Sequence, residues 1–383
     1  MPEKQQNVFR PSLSQIENHP PAPDELEVSL FGPGIGECIV VHLGDGNWMV
    51  IDSCLESSTR EPIALAYLNR IGVNPATSVK VLAISHWHDD HILGSAKTLS
   101  VCESARVCYS AALLKEEFLT LTSSLSDPMS LIDRKTSGTR EMASIVRVLE
   151  SRSLNRPNYK SDQLVPTVAH CLLYQHDNGR YKSEITALSP SSASVNNALR
   201  EFASLIPMSG ADRRVIPRPT QNHNSIVIWL RFGENSVLLG SDLEETRDPY
   251  TGWSVIVNSD RRPSGKAKIF KIPHHGSRTG HSDEVWNHIV ETEATGVMTT
   301  FNRGKTPIPR EEDINRIKRF TSNLYCTMEP KAAMPRRDTA VERTLREMAK
   351  NRKVLGGEVG HIQVRMKLNS QIRVNLQPPA TRL

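Results

Sequence analysis

The sequence predicts an α/β protein in which two β-sheets stack and helices cover their outer faces. Three observations carry this. Short apolar or alternating runs, bounded by Gly, Asp and Asn, recur along most of the 383 residues. Helix-periodic segments fall between them, and no internal repeat or low-complexity tract interrupts the series. Apolar residues make up 38% and charged residues 23% of the chain, which excludes disorder, collagen and coiled coil as global descriptions.

The elements follow in order. Residues 1–25 are polar, carry Pro2, Pro11, Pro20, Pro21 and Pro23, and read as a flexible leader. Leu26-Glu27-Val28-Ser29-Leu30 alternates. Cys38 to Leu43 and Asn47 to Asp52 are apolar strands joined by a Gly44-Asp45-Gly46 turn, a hairpin signal. A helical segment from Glu61 to Ile71 leads to Val79–Ser85, a buried strand by its β-branched residues. Residues 100–182 read as a mostly helical insertion, with one strand-like piece at Ala105–Tyr109 and helical patterns at Leu113–Leu125 and Thr139–Leu149. Strands resume at Glu184–Leu188, Ser225–Leu230, Ser236–Gly240 and Lys268–Ile272. A helix at Ser282–Thr292, a strand at Gly296–Phe301, a helix at Glu311–Thr321, a short strand at Leu324–Cys326 and a hairpin from His361 to Leu376 complete the series. The expected organisation is one domain over residues 26–376, with 377–383 a tail.

No window approaches the ~18 apolar residues of a membrane span, and Met1 to Gln6 lack the apolar core of a secretory signal, so a cytoplasmic protein without membrane contact is expected. The six cysteines form no C-x-x-C pair and sit beside apolar residues, as reduced core thiols do. The net charge of 47 − 42 = +5 permits a polyanionic partner without demanding one.

The chemistry concentrates in Ser85-His86-Trp87-His88-Asp89-Asp90-His91, directly after the buried strand. Imidazole nitrogen and carboxylate oxygen suit zinc and similar ions, and residues two apart in an extended loop can face the same side. His86 and His88 can therefore share one ion while Asp90 and His91 hold a second. By chance, H-x-H-x-D-H arises in on the order of one chain in a few thousand. A lone Asp after an apolar strand, such as Asp52 or Asp242, caps a turn more often than it binds metal.

The motif resembles the signature of the metallo-β-lactamase fold superfamily, which implies an αββα sandwich. Within that resemblance Asp52 matches the carboxylate that braces the metal loop, and Asp242 matches the one that bridges both metals. Lys271-Ile272-Pro273-His274-His275-Gly276-Ser277 matches the late histidine motif. That motif, with Asn222-His223-Asn224-Ser225, Ala187-Leu188-Ser189-Pro190, Cys326-Thr327 and Gly360-His361-Ile362, is similar to the nuclease domain of ComEC-type DNA-uptake proteins and their soluble relatives. The ComEC-type pattern often has Asp where this chain has His88. The superfamily's third histidine is missing at Leu188-Ser189-Pro190-Ser191, and His170, His176 and His223 are the residues that could replace it.

The resemblance implies two divalent ions, zinc first and manganese as the alternative, held by His86, His88, Asp90, His91, Asp242 and His275. Asp52 would orient these ligands. Asp90 and His274 would serve catalysis, His274 by facing the phosphate or protonating the leaving oxygen. Of the adjacent pair, His275 is taken as the ligand because it lies nearer the Gly276 turn. The expected reaction is hydrolysis of nucleic-acid phosphodiesters, DNA above all, by a hydroxide held between the ions. Lys271, Ser277, Arg278, Arg303 and Lys305 are the candidate nucleic-acid contacts. Two rival expectations stand beside this one: a hydrolase of small phosphoesters, lactones or cyclic nucleotides, and a partner-activated subunit that docks through 100–182.

Overall fold

The computed structural model describes residues 13–113, 137–155, 164–205, 221–302, 307–330 and 359–383. The chain enters through β1 (Leu13–Ser14) and β2 (Glu25–Gly32) and folds back through β3 (Cys38–His42) and β4 (Trp48–Ile51). Gly44, Asp45 and Gly46 all take positive φ in the tight connection between β3 and β4, the demand that selects such residues. Helix α1 (Ile63–Arg70) and the single turn α2 (Pro75–Ser78) lead to β5 (Val79–Ile84), parallel to β4. Next come α3 (Asp89–Ile92), α4 (Ser95–Val101), β6 (Arg106–Ser110), α5 (Ser137–Asn155) and β7 (Leu164–Thr167).

The second sheet begins with β8 (Leu172–Asp177) and β9 (Lys182–Ala187). It continues after α6 (Ser192–Leu205) with β10 (Ile228–Phe232), β11 (Asn235–Leu239), α7 (Gly252–Val257) and β12 (Ala267–Lys271). Then follow α8 (Asp283–His288), β13 (Val290–Met298), α9 (Glu311–Ile317) and β14 (Leu324–Cys326). The hairpin β15 (Gly360–Lys367) and β16 (Ile372–Gln377) returns to the first sheet, and β17 (Thr381–Arg382) ends the chain on the second.

Among the described residues the strand orders are β1-β16-β15-β2-β3-β4-β5-β6-β7 and β17-β14-β13-β12-β11-β10-β9-β8. Both sheets are mixed, with β4, β5, β6 and β7 parallel in the first and β11, β12, β13 and β14 parallel in the second. Alternation along each strand builds three apolar layers. Leu26, Val28 and Leu30 of β2 meet Ile228, Leu230, Val237 and Ile269 of the other sheet in the central layer. Leu65 and Leu68 of α1, Leu99 of α4 and Ile145 of α5 pack on the outer face of the first sheet. Trp253, Val285, Trp286 and Ile317 do the same for the second. The αββα sandwich implied by the motifs is thus what the structure shows.

Three expectations change. The segment 100–182 contributes the long helix α5, but its described strands β6 and β7 extend the first sheet and β8 pairs with β9, so it is woven into the fold. The pattern hid these strands because β7 carries Pro166, tolerated at a sheet edge, and β8 is half polar. The helix expected at Leu113–Leu125 lies, apart from Leu113, outside the described residues. Of the leader, Leu13–Ser14 pair with β16, and Glu17 accepts a hydrogen bond from the buried Arg365 at 2.6 Å, so polarity there reflects a partly buried ionic contact. The tail is anchored by β17 on β14. All six cysteines are free, five of them buried, and no described helix is long and apolar enough to cross a membrane.

Candidate metal centre

The loops that carry the motif residues leave the carboxyl ends of β4, β5, β11 and β12, all members of the parallel portions of the two sheets. Four non-glycine residues there adopt left-handed backbone: Asp52 (φ 57), Ser241 (φ 45), His274 (φ 47) and His275 (φ 53). Such conformations cost of order 1–3 kcal/mol each and persist where surrounding contacts enforce them. They turn the chain off the strand ends, so that Asp52 and His275 enter one buried space while His274 stays at its edge.

Asp90, His91, Asp242 and His275 bring four ligand atoms within 4.8 Å of one another. His91 Nε2 lies 3.3 Å from Asp242 Oδ2 and 3.7 Å from Asp90 Oδ2. His275 Nε2 lies 3.3 Å from Asp90 Oδ2 and 3.6 Å from Asp242 Oδ2. His86 Nε2 adjoins the same Asp242 oxygen at 4.0 Å and faces His88 Nδ1 at 3.1 Å. Asp90, His91, Asp242 and His275 thus form one cage, His86 adjoins it at Asp242 Oδ2, and His88 lies behind His86.

Hydrogen bonding behind the ligands fixes which nitrogen each imidazole turns inward. Asp52 accepts from Ser85 N (2.7 Å), Ser85 Oγ (2.6 Å) and His91 Nδ1 (2.8 Å). An ionised carboxylate only accepts, so His91 carries hydrogen on Nδ1 and its Nε2 faces the cage. Ser85 spends its one hydrogen on Asp52, so His86 Nδ1 donates to Ser85 Oγ at 2.9 Å and its Nε2 also faces inward. His275 Nδ1 sits 2.8 Å from Thr299 Oγ1, whose hydrogen goes to Glu37 Oε2 at 2.7 Å, with the same result.

Imidazole nitrogens thus confront carboxylate oxygens with no hydrogen bond between them: His91 Nε2, His275 Nε2 and Asp242 Oδ1 are buried without a hydrogen-bond partner. That arrangement fits a cation. Burial opposes charge on His91, yet Asp242 and Asp90 outweigh it and push its pKa well up. His91 and His275 hold Asp242 well below the carboxylate range despite its burial. His86 moves the other way, its pKa driven down by burial and by His91 and His88.

His274 stands outside the cage. Its Nδ1 lies 2.9 Å from Glu244 Oε1, and Asn222 Nδ2 is 3.3 Å from its Nε2. Burial works against its charge, but Glu244 and Asp242 raise its pKa. Adjacent left-handed residues therefore send one imidazole inward and the other to the rim.

The nucleic-acid contacts divide. Lys271 is a correction: its ammonium is fully buried, 2.6 Å from Glu37 Oε1 and 3.8 Å from Asp242 Oδ1, because it ends a central strand and points between the sheets. Ser277 is largely buried in its turn, where its hydroxyl accepts from Gly280 N. Arg278 is exposed and lines an open groove with Arg247, Thr279, Arg319, Glu245, Glu284 and Glu312. Arg303 and Lys305 lie outside the described residues. Of the substitute histidines, His170 contacts Ser259 and His176 pairs with Asp45, both away from the cage, whereas His223 sits 3.4 Å from Glu244 at the rim. Glu37, Glu244 and Thr299 escaped sequence reasoning because no spacing pattern marks them.

No family model and no curated protein matches the chain. Among solved structures it is similar to CmlA, a diiron beta-hydroxylase from Streptomyces venezuelae, at 15% identity over 66% of this chain and 35% of that one, with a TM-score of 0.32. This chain thus spans about a third of the length of CmlA. The metallo-beta-lactamase fold protein YhfI from Bacillus subtilis is 10% identical over 81% of this chain and 98% of its own, with a TM-score of 0.36. Human tRNase Z, short form, is 11% identical over 63% and 76%, with a TM-score of 0.28. At these values none of the three lends this chain a substrate or a residue role. By its own sheets and helices, the fold is an αββα sandwich whose metal-binding motifs lie on the loops after β4, β5, β11 and β12.

Proposed function

We propose that this chain is a metal-dependent hydrolase that cleaves nucleic-acid phosphodiester bonds, DNA above all. The observation that carries the hydrolase reading is the cage itself, where His86, His91 and His275 turn their Nε2 atoms toward the carboxylates of Asp90 and Asp242. Two divalent ions, with zinc suited to this nitrogen and oxygen set, would be held by His86, His88, Asp90, His91, Asp242 and His275. When bound, they supply Lewis acidity and an activated water for in-line displacement. The chain does the rest. Asp52 and Thr299 hold the imidazoles in register, and burial of His86 and His91 at 1% exposure or less keeps bulk water from competing for them. At the rim, Glu244 holds the Nδ1 side of His274, and in this reading His274 would give a proton to the leaving oxygen.

The net charge of +5 and the exposed Arg247, Arg278 and Arg319 of the groove, which among the described residues meets the site only through Thr279, 3.0 Å from His274 Nδ1, support a phosphodiester substrate. Glu245, Asp283, Glu284 and Glu312 in the same groove favour a second reading, a small phosphoester that never tracks along it. Purified protein with zinc or manganese, assayed on linear and circular DNA beside a chromogenic bis-phosphodiester, separates the two. The proposal expects DNA cleavage that is lost in a folded Asp90→Ala variant. Full activity in that variant overturns it, and turnover of the small ester alone selects the second reading.

A further inference from the structure

Glu37 follows Gly36, whose backbone (φ 117) would bring an added Cβ to 2.8 Å from Cys54 Cβ, so only glycine lets the chain pass this close to the metal loop. The position has three consequences. Glu37 N donates to Asp90 O at 2.8 Å. Its Oε2 accepts from Thr299 Oγ1, which in turn accepts from His275 Nδ1. Its Oε1 forms an ion pair with Lys271, whose ammonium also faces Asp242 Oδ1 and donates to Ser241 O at 2.8 Å. Glu37, Thr299 and Lys271 are all fully buried.

From this juxtaposition we propose that Glu37 is a positioning residue for the cage, aligning Asp90, His275 and Asp242 at once through its amide, Thr299 and Lys271. Thr299 has a single hydrogen, and Glu37 claims it. His275 must therefore protonate on Nδ1 and leave Nε2 free for a cation. On the other side, Lys271 draws Asp242 Oδ1 away from the cage and leaves Oδ2 to face His86, His91 and His275. The hydroxyl is the fragile link: without it Nδ1 has no acceptor, and the Nε2–H form, which cannot bind metal, becomes populated.

The inference rests on the metal reading of the cage but not on any substrate. It is tested with full-length wild type, Thr299→Ser, Thr299→Val and Glu37→Gln. Nitrogen chemical shifts of His275 are read in zinc-free protein at pH 8, followed by calorimetric titration with zinc. Wild type and Thr299→Ser should show the Nδ1–H tautomer. Thr299→Val, which keeps the volume, should show a mixture and bind zinc about 10–100-fold more weakly. Glu37→Gln should lose affinity to a similar degree; should it fail to fold, Thr299→Val carries the test. Wild-type tautomer and wild-type affinity in Thr299→Val overturn the proposal. Wild type that binds no zinc overturns the metal reading and this inference with it.

Discussion

At Asp52 one carboxylate accepts three hydrogens, and a single-atom change tests what that does. Asn at this position tolerates the same left-handed backbone but presents an amide to Ser85 Oγ and His91 Nδ1. His91 would then carry its hydrogen on Nε2, pointing into the cage. Asp52→Asn should therefore fold and bind zinc about 10–100-fold more weakly by titration; undiminished affinity contradicts the assignment. Lys271→Met leaves Glu37 buried without its counter-ion, and chemical denaturation should show a loss of about 3–5 kcal/mol. The residues legible in the sequence are those whose chemistry is repeated at short spacing, as in His86 to His91. Lys271 was misread because charge in a sequence does not reveal which side of a strand it faces. Glu37 and Thr299 are 262 positions apart and meet only through the packing of the two sheets.

Among the elements, the connection between β3 and β4 has its own pH dependence. His42 donates from Nδ1 to Glu25 O at 2.7 Å and accepts at Nε2 from Gly46 N at 3.0 Å, so a second proton would face an N–H. Burial lowers its pKa from 6.5 to about 4. The depressed value makes its contribution fully present above pH 6.5 and lost as pH falls toward 4, about 3 kcal/mol in all. Denaturation at pH 7 and pH 4.5 should show a smaller loss in His42→Gln than in wild type; equal losses contradict this. Strong strands such as β2, β5 and β10 were legible from alternation or β-branching, and the hairpin β15–β16 fell where expected. The strands β7 and β8 were not, because an edge strand with Pro166 and a strand half turned to solvent bury too little for a pattern to form. The buried Glu27–Arg365 pair, 2.8 Å apart, likewise looks like surface polarity until β2 and β15 are placed side by side.

Across the whole molecule, the sandwich was readable because motif order and strand series agreed, while the substrate is not written in either. If the groove binds a phosphate backbone, Arg278→Ala should weaken DNA binding and reduce the salt slope of log K by about 1 unit. An unchanged slope removes Arg278 from the substrate path. The central claim is that segments after β4, β5, β11 and β12 converge to hold two divalent cations. Metal analysis of the zinc-loaded, exhaustively dialysed chain tests it most directly, with Asp242→Ala alongside. The account predicts two zinc ions per wild-type chain and fewer in the variant. No bound zinc in wild type, or an equal count in folded Asp242→Ala, would contradict it.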